Sequence, residues 1–184
     1  MMFLLLWALL VFPHPDAQAY YESGYHYYPS YRSQTPSPII SIDLDPQHQV
    51  DASFRVAARE DRLDDMMLDV KRGAHVDSVS DSGRSALMFA SGNCSVPIVR
   101  ELLSLKANVN ITDHEGETAL DYATLESCYP VVKLLMKVPG LDLGVKDKSG
   151  KTAYDYAVDC ASLDVDGPAA RILNLIERYR RRHH

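Results

Sequence analysis

Gly83-Arg84-Ser85-Ala86-Leu87, Gly116-Glu117-Thr118-Ala119-Leu120 and Gly150-Lys151-Thr152-Ala153-Tyr154 are three versions of one phrase, with their glycines 33 and then 34 residues apart. A fixed period of this length denotes one supersecondary unit stacked on itself, because each copy alone cannot bury its apolar face. The phrase therefore predicts an all-α solenoid with short β-turn tips. It also moves the search for function from a pocket to a surface.

Working outward, each glycine turn leads to a hydroxyl, Ser85, Thr118 or Thr152, placed to accept from the free amides at a helix start. Short helices are predicted over residues 86–92, 119–126 and 153–159. After a polar turn, Pro97, Pro130 and Pro168 each head an apolar run: Ile98-Val99-Arg100-Glu101-Leu102-Leu103, Val131-Val132-Lys133-Leu134-Leu135-Met136 and Ala169-Ala170-Arg171-Ile172-Leu173. Proline suits the first helical turn, where its missing N–H would have had no partner. The pattern reads helix, turn, helix, three times.

These motifs resemble the ankyrin repeat. Its glycine turn, Ile-Val-Lys-Leu-Leu helix and Gly-Ala-Asp-Val-Asn link are similar to the runs above and to Arg72-Gly73-Ala74-His75-Val76-Asp77 and Lys106-Ala107-Asn108-Val109-Asn110. Pro139-Gly140-Leu141-Asp142-Leu143 carries one inserted residue, which accounts for the longer step. A divergent first unit lies upstream, with Phe54-Arg55-Val56-Ala57-Ala58 and Leu63 to Val70 as its helices. Arg59, Glu60, Asp61, Arg62, Asp64 and Asp65 give it the polar outer face that a terminal unit needs. The repeats are placed at about 50–80, 81–113, 114–147 and 148–180, inside a domain spanning 46–180. The chain departs from the family pattern at Ala86, Ala119 and Ala153, where proline is usual, and at Met88, Asp121 and Asp155, where histidine is usual. Bonding between turns must then be partly replaced. Lys106 stands in a glycine position, where a left-handed residue costs about 1 kcal/mol. Extra residues within 163–167 are expected to form a mobile loop.

Cys94, Cys128 and Cys160 are expected to fall in the same inter-helix turn of successive units, nine, ten and eight residues after Ser85, Thr118 and Thr152. Units of this family stack about 10 Å apart, whereas a disulfide needs its α-carbons within about 7 Å. The expected state is free, half-buried thiols, with a Cys94–Cys128 bridge as the alternative. Asp121 and Asp155 recur one unit apart, as paired catalytic carboxylates would; the helix dipole and the turn amides explain them better. No close Cys-x-x-Cys or His-x-x-x-His spacing joins His75, His114 and the cysteines, so no metal, cofactor or catalytic set is expected. Asn93-Cys94-Ser95 and Asn110-Ile111-Thr112 are candidate glycosylation sequons in an exported eukaryotic chain.

The first segment, Met1 to Phe12, is almost wholly apolar and is followed by Ala17-Gln18-Ala19, as in a secretory signal cleaved after Ala19. The run is too short to span a bilayer comfortably. Residues 20–45 are expected to form a flexible linker, since Tyr20, Tyr21, Tyr25, Tyr27, Tyr28 and Tyr31 sit among Ser and Pro with almost no aliphatic partner. Ile39 to Leu44 is expected to lie as a short extended strand against the first unit. The formal charge of −6 becomes −5 without residues 1–19, and the basic residues 178–182 form only a short tail. A nucleic-acid footprint is therefore not expected.

The resemblance implies a monomeric module that binds another protein. Its turn tips would supply the contact residues Asp81, Ser82, Arg84, His114, Glu115, Glu117, Lys148, Ser149 and Lys151, with charge running from mixed through acidic to basic. Phe89, Tyr122 and Tyr156 are expected to pack between units. The leading expectation is an exported, non-catalytic adaptor or inhibitor. The alternatives are an accessory factor for an extracytoplasmic enzyme with redox-active cysteines, and a cytosolic adaptor whose N-terminus is misread as a signal.

Overall fold

Eight helices make up the described part of the chain. The computed structural model describes residues 45–163 and 167–183. The expected signal, linker and short extended strand lie outside these residues, as does the centre of the expected mobile loop.

The helices form four hairpins: α1 (Pro46–Arg59) with α2 (Leu63–Lys71), α3 (Ala86–Gly92) with α4 (Val96–Ser104), α5 (Ala119–Leu125) with α6 (Tyr129–Leu135), and α7 (Ala153–Leu163) with α8 (Pro168–His183). First helices pack on first helices, α1 to α3 to α5 to α7, and second helices on second helices, α4 to α6 to α8. This two-layer array is an all-α repeat solenoid. Among the described residues the sole extended pairing outside helices is the isolated antiparallel bridge Val79 to Ser85.

Small residues set the layer spacing. Ala57, Ala58, Ala90, Ala123 and Ala157 are buried at 0–1% exposure where first helices approach one another. Ile98, Val99 and Leu102, then Val131, Val132 and Leu135, then Ile172 and Ile176 supply the bulk from the second layer. Each such side chain contributes roughly 1.5–3 kcal/mol on leaving water.

Two element lengths differ from the sequence expectation. The first helix of the divergent unit begins at Pro46, because Asp45 accepts the Gln47 N–H at 3.2 Å and proline suits the first turn. Helix α7 runs on to Leu163, so Cys160 lies inside a helix and not in an inter-helix turn. The hydroxyl caps act as expected. Ser85 and Thr118 Oγ accept from the amides of Met88 and Asp121 at 3.3 Å each, and Thr152 Oγ1 accepts from Asp155 at 3.4 Å. Lys106 takes a left-handed φ of 65° where α4 ends.

Candidate interaction surface

Each turn between hairpins is a finger braced by one polar side chain, Ser80 in the first, where its hydroxyl oxygen accepts the Arg84 amide at 3.2 Å, and an aspartate in the next two. Asp113 N–H donates to the Glu117 carbonyl and Asp147 N–H to the Lys151 carbonyl, at 3.0 and 2.9 Å, closing the base of each finger. Asp113 Oδ1 accepts the amides of Glu115 and Glu117 at 2.9 and 3.0 Å, and Asp147 Oδ1 accepts the Lys151 amide at 2.8 Å. The other carboxylate oxygen accepts a tyrosine hydroxyl nine residues on: Tyr122 on Asp113 at 2.7 Å, and Tyr156 on Asp147. Burial, reinforced by these acceptors, holds both phenols protonated well above the usual tyrosine range.

The fingers join edge to edge. His114 N–H donates to the Ser82 carbonyl at 3.0 Å and Lys148 N–H to the Glu115 carbonyl at 2.8 Å. Such approach needs glycine at the tip: a Cβ on Gly83 would come within 2.9 Å of the His114 amide nitrogen, and one on Gly116 within 2.9 Å of the Asp147 Cα. Backbone bonds thus replace part of the side-chain bonding between turns that the family pattern supplies elsewhere. Asp81, Ser82, His114, Glu115, Lys148, Ser149 and Lys151 are exposed along the row.

Two expectations about this row change. Glu117 is buried, at 6% exposure, because the bond from Asp113 draws residue 117 into the base of the finger. It is not a contact residue of the free edge. Arg84, at the equivalent place, is half-buried, 3.5 Å from Asp113 Oδ2 and over the Tyr122 ring at 5.2 Å. The charge gradient is also muted, since Lys148 pairs with Glu115 at 3.5 Å and Lys151 with Asp159 at 2.9 Å. Tyr122 does join neighbouring units, meeting both Arg84 and Gly92 of the preceding one.

The two aspartates at the helix starts belong to capping boxes. Asp121 Oδ2 accepts the Thr118 amide and hydroxyl at 2.7 and 2.6 Å, and Asp155 Oδ2 accepts those of Thr152 at 2.8 and 2.7 Å. Burial pushes the Asp121 carboxyl up to about 6 against the pull of Thr118, with the charges of Glu117 and Asp147 adding to the rise. Asp155 is less enclosed, and the Thr152 amide and hydroxyl hold it below its usual value. His75 Nδ1 lies 2.9 Å from Asp51 Oδ2, and the His75 amide donates to the same carboxylate at 2.7 Å. That histidine ties the link after α2 back to α1, away from His114.

Cys94 and Cys128 form a disulfide with their α-carbons 5.6 Å apart, so the expectation of free thiols at these positions is corrected. The 10 Å spacing describes helix layers, whereas these residues sit in turns at positions that are not equivalent. Cys94, like Asp61 and Ser127, is the left-handed turn residue, with φ of 55°. Cys128 is one place further on, at the N-cap of α6. The offset brings them together. Cys160 remains a thiol, and burial raises its pKa. The sequon residues differ as well. Asn93 is exposed, while Asn110 bridges units, donating to the Gly140 carbonyl at 2.7 Å and accepting the Asp142 amide at 3.0 Å.

Asp113 and Asp147 were absent from the expected contact set, although a signal for them is present in the sequence. Asp stands three residues before Gly116 and Gly150 where Tyr follows nine residues after it, and the unit with Ser80 has Phe89 instead.

Residues 54–147 match the family model for ankyrin repeats, in three copies. The chain belongs to the ankyrin repeat family. It is 32% identical over 134 residues to the mouse B-cell lymphoma 3 protein homolog, a match covering 71% of this chain and 30% of that protein. It is 35% identical over 85 residues to the rat ankyrin repeat and SAM domain-containing protein 6, covering 46% and 10%, and 39% identical over 57 residues to a putative ankyrin repeat protein of Rickettsia bellii, covering 31% and 59%. The chain thus spans less than a third of the length of the mouse and rat relatives. Ankyrin stacks are in general protein–protein interaction modules without chemistry of their own, presenting extended surfaces built from successive units. No described helix is long and apolar enough to cross a membrane.

Proposed function

We propose that this chain is an exported, non-catalytic adaptor or inhibitor that grips a partner protein along its row of finger tips. The observation that carries the reading is the pair of inter-finger bonds, His114 N–H to Ser82 O and Lys148 N–H to Glu115 O, which fix successive tips relative to one another. A surface already ordered by its own backbone loses little further entropy on docking. Asp81, Ser82, His114, Glu115, Lys148 and Ser149 are its exposed contact groups. Their mixed charges orient a partner and speed its encounter more than they tighten the complex.

Work outside the cytosol is supported by the Cys94–Cys128 bridge, since disulfides form and persist in oxidising compartments. The apolar segment Met1 to Phe12 followed by Ala17-Gln18-Ala19 suits a secretory leader. Affinity capture with the natural chain, read by mass spectrometry, tests the reading. Asp81→Lys and Lys148→Glu should slow and diminish capture of the partner without changing the circular dichroism spectrum. Undiminished capture by both variants would show the tips to be bystanders. An intact Met1 in the natural product would remove the export claim.

A further inference from the structure

A groove of about 600 Å³ lies between the ends of α4 and α6, with Arg100, Leu103 and Lys106 on one wall and Leu134, Lys137 and Val138 on the other. It shares no residue with the finger tips. Three cations line it, and no acid does. Elsewhere many cations are matched: Arg62 pairs with Glu60 and Asp65, Arg72 with Asp69, Lys148 with Glu115 and Lys151 with Asp159. Arg100, Lys106 and Lys137 have no ion pair among the described residues. Among the surrounding acids, Glu101 accepts the Ser104 hydroxyl, Asp77 the Asn108 amide and Asp142 the Gly144 amide. An unmatched cationic trio is notable in a chain of formal charge −6.

Backbone conformation marks the same place independently. Lys106 holds a φ of 65°, whereas the equivalent residues of the flanking units are Gly73 at 92° and Gly140 at 82°. A Cβ at either glycine would meet nothing within 4 Å, so packing does not select a side chain at this position. The helix dipole does not require it either, for α2 ends on Lys71 with Arg72 at its C-cap, and the next residue is still Gly73. Lys106 thus stands at the groove against the preference of the backbone, as Asp61, Cys94 and Ser127 do in the inter-helix turns.

We propose that this groove is a second docking site and that its occupant is an acidic peptide segment of a partner protein. Carboxylates of the segment meet Arg100, Lys106 and Lys137, while an apolar side chain between them rests on Leu103, Leu134 and Val138. All three of these apolar residues are only partly buried and remain available to it. A small anion would use the charges but leave the apolar floor wet, which is why a peptide fits better.

The test is fluorescence anisotropy of the full chain with a labelled short peptide of alternating Glu and Leu, alongside its Gln/Leu and Lys/Leu counterparts. Saturable binding of the Glu/Leu peptide alone is expected, weakening as salt is raised. Lys106→Gly removes a cation and relieves the backbone, so the variant folds at least as firmly; its affinity should fall about threefold. Arg100→Glu combined with Lys137→Glu should weaken binding by about tenfold or more, and Lys148→Glu should leave it unchanged. Absence of saturable binding, equal binding of the Gln/Leu peptide, or unaltered affinity in the Arg100 and Lys137 variant would overturn the proposal. So would displacement of the peptide by an equal concentration of inorganic phosphate.

Discussion

The Tyr122 hydroxyl donates to Asp113 Oδ2 at 2.7 Å, on a carboxylate whose other oxygen braces the finger amides of Glu115 and Glu117. Tyr156 and Asp147 repeat the pair one unit on, while the preceding unit has Phe89 and Ser80 in the same places. Phenol and carboxylate are present together or replaced together. A buried phenol without an acceptor, or a buried carboxylate short of a donor, loses hydration that nothing returns.

Tyr122→Phe should therefore cost about 1–2 kcal/mol, read as a lower urea midpoint with an unchanged m-value. Asp113→Ser added to it should cost less than the two single changes summed, because the Ser80 and Phe89 arrangement is then rebuilt. Strict additivity would mean that the two residues act independently.

The Cys94–Cys128 bridge closes a loop of 34 residues across two repeats. Loop-closure entropy makes its removal worth about 4 kcal/mol, so Cys94→Ser or reduction should lower the unfolding midpoint strongly. Alkylation of the unfolded, unreduced chain should label one thiol, Cys160, and label three after reduction. Three labels without reductant would refute the bridge.

Asp121 and Asp155 hold the same place in successive capping boxes yet shift in opposite directions. For Asp121, raised from 3.8 to about 6, stability is fully present below about pH 3.8 and is lost as pH rises through about 6. The loss amounts to about 3 kcal/mol at neutrality. Asp155 is lowered, so its contribution is present above the ordinary carboxylate range and disappears on acidification. Asp121→Asn should gain on the parent chain between about pH 4 and pH 7, and Asp155→Asn should lose over the same range. Denaturation at both pH values checks this, and parallel pH profiles for parent and variants would contradict it.

Gly116 and Gly150 share a φ of 84°, but only at Gly116 would a Cβ strike backbone, 2.9 Å from the Asp147 Cα. Gly150→Ala should cost about 1 kcal/mol for the left-handed conformation alone. Gly116→Ala should cost about 2–4 kcal/mol, because fingers joined by a hydrogen bond must also move apart. Equal midpoints for the two variants would show that finger contact contributes nothing.

Much of the architecture was legible along the chain. The glycine period, the Ser85, Thr118 and Thr152 caps and the proline-headed helices are local features, and each acts within a few residues of itself. The Asp113 and Tyr122 pair is also written in the sequence, at a spacing of nine, but only comparison of one unit with the next makes it visible. The burial of Glu117 was not legible, since a glutamate beside a turn glycine carries no mark of which way the finger folds.

By itself the sequence determined the number of hairpins, their order and the unit that caps them, because periodicity and helix ends are properties of neighbouring residues. Tertiary structure decided the Cys94–Cys128 bridge, the opposite shifts of Asp121 and Asp155, and the gathering of Arg100, Lys106 and Lys137 around one groove. Each of these depends on how two repeats lie against each other, where a one-residue offset in a turn or a small difference in enclosure changes a distance or a desolvation cost that no linear spacing records.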